Sequence, residues 1–294
     1  MKEITALVSR NRKLFFKDKG MLFSSMITPA ILIVLYATFL ANVYKDSFVS
    51  ATKDMIDLSD KIINGTVAAQ LAAALLAVSC VTVTFCVNLT MVQDRASGAR
   101  KDFDVSPVSK TKIYIGYFLS TVLNSLMVNG TALALCLLYI LKMGWYMNAS
   151  DVIFIILDMI LLVLFGSTLS SIVSYPLKTQ GQLSAVGTIV SAGYGFVCGA
   201  YMPISNFSSG LQKALSYLPG TYGTSLVKNH MLNGVYKEMA DIGMPSEAVI
   251  RNTLDCNPVF RGHVVGVSQM YLIMAGSILV FGAAYLLIIM IRER

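Results

Sequence analysis

Asp158 is the residue whose type and position most suggest chemistry, because it lies inside a long apolar segment of the sequence. An ionisable side chain is costly in lipid and usually serves a function there. A coupled proton site also needs a partner, and Asn124 or Asn129 of the preceding apolar segment could hydrogen-bond to it. Two interpretations stay open: Asp158 lies on a substrate path, or it reaches the outer interface and has a structural role.

The sequence motifs of common catalytic sites are missing. The sequence contains no GxxxxGK[ST] loop, so the chain lacks the usual cradle for ATP phosphates. The HExxH zinc motif and the GxSxG nucleophile turn are also absent. His230 and His263 have no partner at metal-ligand spacing. We therefore predict that the chain is not an enzyme and binds no cofactor or metal.

The cysteines do not form a metal-binding pattern. Their positions are Cys80, Cys86, Cys136, Cys198 and Cys256, and none of them makes a CxxC pair. Four lie in apolar segments, where cysteine usually acts as a small packing residue. Cys256 and Cys198 both lie towards one side of the predicted membrane. A disulfide between them stays open, although their spacing does not support it.

Six long apolar segments must position these residues. The chain has 294 residues, of which 55% are hydrophobic and only 13% are charged. About 20 apolar residues in a helix cross the hydrocarbon core of a bilayer, where the backbone must hydrogen-bond to itself. We therefore predict an all-α integral membrane protein, a single domain over 1–294 with six transmembrane helices. The predicted spans are 21–41, 64–92, 113–141, 152–174, 182–202 and 269–291.

The net charge of +7 is distributed unevenly along the chain. Most of the 23 Lys and Arg residues lie in the connecting segments 1–20, 93–112, 175–181 and 292–294. The positive-inside rule places these segments, and both termini, in the cytoplasm. The outer segment 203–268 then lies on the other side. We expect a multi-pass protein of a bacterial plasma membrane, with the lipid bilayer and no nucleic acid among its partners.

Residues 2–19 precede the first span and are predicted to form an amphipathic helix in the membrane interface. Apolar residues recur near helical spacing, and cationic side chains can meet anionic headgroups. The residues assigned to this helix are Arg10, Arg12, Lys13, Lys17 and Asp18. A solvated basic tail is the alternative interpretation.

The densest charged stretch follows the second span. A short helix is predicted over 94–104, followed by a turn at Ser106–Pro107, because the residue before a proline disfavours helix. The charged and turn-forming residues of this stretch are Asp94, Arg95, Gly98, Arg100, Lys101, Asp102 and Pro107. Charge alone favours a solvated loop over a docking surface.

The outer segment contains two apolar helical pieces that Pro219-Gly220 separates. This pattern predicts a helical hairpin that enters the outer leaflet, with Pro203 before it and Tyr222 just after the break. The second piece is predicted to end at Asn233–Gly234.

Gly195 and Gly199 form a GxxxG pair in the fifth predicted span. Small residues at this spacing let two helices approach closely. The partner helix can belong to this chain or to another one.

Taken together and in their order along the chain, the features described above resemble those of the permease subunits of type-2 ABC exporters, also called type V. The resemblance covers nearly the whole chain: a basic N-terminal helix that closes on Asp18, Pro29 in the first span, and an acidic, Gly and charged stretch. That stretch closes on Ser106-Pro107-Val108-Ser109. The hairpin corresponds to Tyr201-Met202-Pro203 and Leu218-Pro219-Gly220-Thr221-Tyr222. Asp94 stands where the family more often has Glu.

The resemblance implies two permease chains, identical or homologous, and two separate ABC ATPase subunits that bind ATP and Mg. Segment 94–104 would be the coupling helix, joined by the interfacial helix, and Gly195 and Gly199 would lie where two permeases meet. The implied function is ATP-driven export of a hydrophobic drug, an antimicrobial peptide or a lipid-like molecule. A secondary transporter, a membrane enzyme and a ligand-binding immunity or receptor protein are the rival interpretations.

Overall fold

The computed structural model describes residues 2–36, 41–42, 45–46, 48, 59–202, 204–242, 251 and 256–292. Within these residues the structure is helical apart from short connections and one small β-ribbon. The helices are α1 (Lys2–Lys17), α2 (Lys19–Leu35), α3 (Asp60–Ala96), α4 (Arg100–Asp104), α5 (Lys110–Met143), α6 (Ala149–Ser174), α7 (Gln180–Val197), α8 (Ser209–Leu215), α9 (Pro219–Asp241) and α10 (Val267–Arg292), with a 3-10 turn at Ile204–Asn206.

Helix α3 is the central helix of the bundle, and the most apolar part of it is 94% buried by the rest of the protein. Its neighbours include α2, α5, α6, α7 and α9. Many small residues let these helices approach it. A Cβ at Gly166 of α6, for example, would lie only 3.1 Å from the Val81 Cα. The close packing of several helices on one apolar axis explains why this segment, which carries no charge from Ile62 to Gln93, became the core.

Within the part of the chain that the structure describes, four helices are long and apolar enough to cross a membrane: α3, α5, α6 and α10. Each contains one of the predicted spans and extends a few residues beyond it. Two shorter apolar helices, Lys19–Val34 and Ser184–Val197, lie in the first and fifth predicted spans. The helix predicted over 182–202 ends earlier than expected because Gly199 takes a left-handed conformation, with φ of 70°, just after α7.

The outer segment contains a helix longer than predicted. Helix α8 ends at Leu215 and α9 begins at Pro219, but α9 continues through Asn233 and Gly234. The predicted end at that pair is wrong because the two residues do not break the helix but make close contacts with the start of α6 and the residues before it. A Cβ at Gly234 would overlap the backbone of Tyr146, and the Asn233 amide donates to Asp151 at 2.7 Å.

Helix α9 runs antiparallel to α6 and reaches deep into the bundle. Asn233 lies beside Asp151 in the first turn of α6, whereas Gly223 lies against Leu162, midway along α6. A Cβ at Gly223 would also lie 3.1 Å from the terminal methyl carbon of Met274 in α10. The break between α8 and α9 therefore lies among the helices rather than above them.

A small antiparallel ribbon precedes α10 and departs from the predicted all-α structure. Strands β1 (Val259–Phe260) and β2 (His263–Val264) are joined by a two-residue turn. Arg261 and Gly262 in this turn have φ of 49° and 85°, because a tight hairpin turn of this kind needs left-handed residues at both positions. Glycine adopts that conformation freely, whereas arginine is strained by it.

Candidate functional site

The first ionic cluster lies at the predicted cytoplasmic end of α3 and centres on Asp94. Both terminal nitrogens of Arg10, from α1, donate to the Asp94 carboxylate, with 2.9 Å between Nη2 and Oδ1. The Tyr117 hydroxyl of α5 donates to Oδ2 at 2.5 Å. Asp94 is buried, so this cluster joins three helices through a desolvated charge pair. Hydrogen bonding to Asp94 raises the pKa of Arg10 above its usual range, which keeps the guanidinium charged.

Helix α1 places Arg10 at this position by burying one of its faces. Leu7, Asn11 and Phe15 recur every four residues, and all three are buried. A Cβ at Gly116 of α5 would lie 2.9 Å from Leu7, and the Asn11 amide donates to the Ser120 hydroxyl at 3.1 Å. The opposite face carries the exposed side chains of Arg12, Lys13 and Lys17.

Asp18 has a local role in the connection between α1 and α2. Its carboxylate accepts a hydrogen bond from the Met21 backbone N–H at 3.1 Å, and it is the N-cap of α2. Such a cap satisfies a backbone donor that the first turn of a helix leaves without a partner. The basic helix therefore closes on Asp18 because α2 begins there.

Arg95 points away from Asp94 and fastens the connection between α6 and α7. Its guanidinium donates to the carbonyl oxygens of Tyr175 and Leu177, the latter at 3.1 Å, and to the Tyr114 hydroxyl at 3.1 Å. It also lies close to both the Tyr114 and the Tyr175 ring, at 5.7 and 5.3 Å from their centroids. This side chain therefore holds α3, α5 and the α6–α7 connection together.

The predicted coupling helix over 94–104 is divided in the structure. Asp94 and Arg95 belong to the last turns of α3, Gly98 turns the chain with φ of 84°, and α4 begins at Arg100. A single helix was expected because charge was the only signal, and charge does not show which way a side chain points. Arg100 is partly buried over the Tyr114 ring, 4.6 Å from its centroid.

The exposed part of this stretch is short and includes an apolar residue. Lys101, Asp102 and Pro107 are exposed. Val105, directly after α4, is 89% exposed, which is unusual for a valine in so charged a loop. Val105 was not among the predicted site residues, although an apolar residue among charged ones is visible in the sequence.

A second ionic cluster lies at the other end of the bundle and centres on Asp158 of α6. His230 Nδ1 of α9 is 2.6 Å from Asp158 Oδ2, and the Tyr271 hydroxyl of α10 donates to Oδ1 at 2.6 Å. The His230 ring also stacks on Phe154 at 5.0 Å. Asp158 is buried, so its carboxylate, like that of Asp94, is held by one basic and one phenolic side chain from two other helices.

Asn124 and Asn129 do not serve as the expected partners of Asp158. Both are buried in α5, and the Asn129 amide donates to the Ser125 carbonyl of its own helix at 2.9 Å. Among the described residues, the Oδ1 atoms of both asparagines have no hydrogen-bond partner. The true partners of Asp158 were missed because they are distant in sequence.

A protein-family model described as ABC-2 family transporter protein matches residues 63–291, well over half of the chain. The chain belongs to the ABC-2 transporter family. The resemblance noted in the sequence is thereby confirmed, and the protein is a membrane permease of an ABC transporter. Membership of this family implies association with ABC ATPase subunits. No individually curated protein matches the sequence.

The glycine pair of the permease contacts its own chain. A Cβ at Gly195 would overlap the ring of Tyr201, and a Cβ at Gly199 would lie 2.7 Å from Ile204. The turn after α7 therefore folds back on the space that the two glycines leave. Residues of the same chain therefore occupy the space beside the two glycines, and a role where two permeases meet stays a prediction.

Cys198 and Cys256 of the permease are not joined by a disulfide. Cys198 Sγ lies 3.8 Å from the Gly195 carbonyl oxygen, and Cys256 Sγ lies 2.9 Å from the Tyr236 hydroxyl. The disulfide considered from the sequence is therefore not formed. Both thiols are buried and fill space between helices, as small packing residues do.

The residues around the α8–α9 break hold it in a compact turn. The Tyr222 hydroxyl donates to the Ser216 carbonyl at 2.5 Å, and the Thr221 hydroxyl donates to the Leu215 carbonyl at 3.0 Å. Pro219 is the first residue of α9, where its missing N–H costs nothing. Gly220 is buried, and a Cβ there would lie 2.6 Å from the Tyr194 hydroxyl. Pro203 lies outside the described residues.

Proposed function

We propose that the permease is the transmembrane subunit of an ATP-driven exporter, paired with a second permease chain and driven by two separate ABC ATPase subunits. The observation that carries this proposal is the shape of the predicted cytoplasmic end. Lys101, Asp102 and Val105 project from it, whereas Asp94 and Arg95 beside them are bonded within the protein. An exposed valine with charges beside it suits a cleft on a partner protein.

The same contacts suggest how motion at α4 would reach the spans. Phe103 of α4 lies under the guanidinium of Arg10, at 5.1 Å, and Arg10 is bonded to Asp94 of α3. Arg100 of α4 lies on Tyr114, whose hydroxyl is bonded to Arg95. A displacement of α4 by an ATPase would therefore act on α1, α3 and α5 together.

We place six spans in the bilayer, with the shorter helices α2 and α7 completing the four long ones and both termini in the cytoplasm. The α8–α9 pair would be a re-entrant hairpin. This arrangement is supported by the contact of Gly223 with Leu162, midway along a spanning helix. The proposed location is a bacterial plasma membrane, and the proposed substrate is a hydrophobic drug, an antimicrobial peptide or a lipid-like molecule.

Co-purification with an ABC ATPase tests the docking surface. The double variant Lys101→Glu/Val105→Asp should no longer bind the ATPase but should still reach the membrane. The first change reverses the charge of the proposed docking surface, and the second replaces its apolar side chain by a carboxylate. The matched control is Lys213→Glu, an exposed lysine of α8 in the outer segment. Equal ATPase recovery with the double variant and the control would contradict the proposed docking surface.

A proton-coupled secondary transporter is the second candidate, and the Asp158–His230 pair favours it. A buried carboxylate in contact with an imidazole is a pair of ionisable groups of the kind that proton-coupled transporters use to bind and release a proton. Transport into proteoliposomes distinguishes the two functions. Dependence on ATP and the ATPase supports the exporter, whereas transport by the permease alone, driven by a pH gradient, supports the second candidate.

A further inference from the structure

An open cleft of about 700 Å³ lies beside the N-terminal end of α10. Three separate parts of the chain form its walls. Tyr217 and Tyr222 come from the turn between α8 and α9, Phe260 comes from the β-ribbon, and Leu272 and Ile273 come from α10. Its size is that of sites that bind small organic molecules.

The cleft is apolar at one end and basic at the other. Leu272 and Ile273 belong to the predicted span 269–291, and Leu272 is 74% exposed, so this end faces the hydrocarbon. Arg261 and His263 lie before that span and are exposed. Apart from tyrosines, these two are the ionisable side chains among the described residues that line the cleft. A molecule that fits both ends is therefore amphipathic, with a negatively charged head.

The backbone holds the Arg261 guanidinium at the cleft despite a conformational cost. Its φ of 49° belongs to glycine or asparagine rather than to arginine. The guanidinium lies over the Phe260 ring at 5.5 Å, and its Nη2 is 3.3 Å from the Tyr217 hydroxyl. These contacts aim the cation along the wall of the cleft instead of into water. A left-handed position that carries arginine instead of glycine or asparagine is consistent with a role for the charge.

We propose that this cleft binds an anionic phospholipid of the outer leaflet. Its headgroup lies against Arg261 and His263, and an acyl chain follows Leu272 and Ile273. Arg261 supplies charge and several N–H donors to the phosphate, and the His263 imidazole supplies another donor. A lipid fits better than a soluble anion because the apolar end of the cleft opens sideways to the bilayer. The leaflet assignment rests on the orientation given under Proposed function, whereas lipid binding itself needs no ATPase.

Lipid binding to the purified permease tests the proposal by native mass spectrometry. The probes are phosphatidylglycerol and phosphatidylcholine with identical acyl chains, which differ in net headgroup charge. We expect the wild type to prefer phosphatidylglycerol about fivefold, which is the effect of one basic residue near an anionic lipid. Arg261→Asn should remove this preference and leave phosphatidylcholine binding unchanged. Asparagine suits the left-handed turn, so the variant should fold at least as well.

Two further measurements make the test specific. Lys213→Asn removes an exposed cation of α8 outside the cleft and should leave the preference intact. Leu272→Ser should weaken binding of both lipids, because it makes the apolar end polar.

Equal binding of the two lipids by the wild type would overturn the proposal, as would an unchanged preference in Arg261→Asn. Loss of both lipids in that variant would overturn the headgroup assignment. Displacement of phosphatidylglycerol by millimolar inorganic phosphate would show a site for free anions instead. A failed co-purification with the ATPase would leave all these results unaffected, so the two proposals fail separately.

Discussion

Each end of the bundle contains a buried carboxylate held by a tyrosine and a basic residue, but the type of basic residue differs between the two ends. Asp94 and Asp158 are both buried carboxylates on central helices, and each accepts a hydrogen bond from a tyrosine hydroxyl. The basic partner differs: it is Arg10 at one end and His230 at the other. The Arg10 guanidinium bonds to both carboxylate oxygens of Asp94, whereas the His230 imidazole contacts one oxygen of Asp158 and stacks on Phe154. The difference separates a two-point ionic brace beside the proposed ATPase surface from a single contact that is also held by packing.

The two basic residues also belong to different kinds of helix. Arg10 lies on α1 at the edge of the bundle, where one face is buried and the other is exposed. His230 lies on α9, which is buried among α3, α6 and α10. We therefore expect loss of the first contact to cost more stability than loss of the second, because the buried packing of α9 would remain.

The largest expected effect comes from Arg10→Met, which leaves the buried Asp94 carboxylate without its cation. Removal of one partner of a buried ion pair costs about 3 kcal/mol or more, because the remaining charge is desolvated and uncompensated. Thermal unfolding of the purified permease in detergent measures this loss. Arg12→Met, on the exposed face of the same helix, is the matched control. If both variants unfold at the same temperature, the Asp94 cluster is not a brace.

Gly234→Ala is expected to have the next largest effect, because it disturbs the packing that brings His230 to Asp158. A Cβ would overlap the Tyr146 backbone, so α9 must shift, at a cost of about 2 kcal/mol. Hydrogen exchange of α9 amides should become faster. Gly130→Ala in α5 meets no atom within 4 Å and should be neutral or slightly stabilising. Unchanged exchange in Gly234→Ala would mean that α9 does not depend on this contact.

His230→Gln should produce a smaller change, of about 1–2 kcal/mol, because the Asp158 carboxylate keeps the Tyr271 hydroxyl as a donor. Glutamine retains an amide donor at this position but loses the stacking of the imidazole on Phe154. Unfolding temperatures of the purified permease in detergent test this expectation. His263→Gln, on the exposed ribbon, should behave as the wild type does, and an identical loss in both variants would count against the Asp158 pair.

Glu3→Gln should have the smallest effect, although it also breaks an ion pair between α1 and α5. Glu3 and Lys112 are 2.7 Å apart, but both are exposed, so water and salt screen the attraction. The hydrogen bond from Lys112 lowers the pKa of Glu3, so any stabilisation is present at neutral pH and disappears as acid protonates the carboxylate. Acid unfolding curves of the two proteins should nearly coincide. A shift as large as that of Arg10→Met would remove the distinction between buried and exposed pairs.

The spanning helices could be predicted because the backbone of a long uncharged segment in lipid must satisfy its own hydrogen bonds, which a helix does. Asp158 was visible for the same reason, as a charge in an apolar segment. Its partners were not visible, because His230 and Tyr271 lie 72 and 113 residues further along the chain. Only the packing of α9 and α10 beside α6 brings them together, and hydropathy carries no information about which helices become neighbours.

The charged stretch after α3 shows a second limit of sequence patterns. Asp94 and Arg95 are as polar as the exposed Lys101, yet both are bonded within the protein. Asp94 binds α1, whereas Arg95 binds the connection between α6 and α7. Their directions follow from the last turns of α3, which the sequence did not distinguish from the short helix α4. Gly195 and Gly199 were likewise recognisable as small residues, but their contacts with Tyr201 and Ile204 depend on the turn after α7.

The deep position of α9 has a consequence for how the permease is made. Its segment is too polar to be among the helices that could span a membrane alone, so the insertion machinery should release it on the outer side. One of its packing partners, α10, is synthesised after it. Helix α9 must therefore enter the bundle late, once α10 has crossed the membrane, and until then its polar and aromatic side chains are open to chaperones and proteases of that compartment.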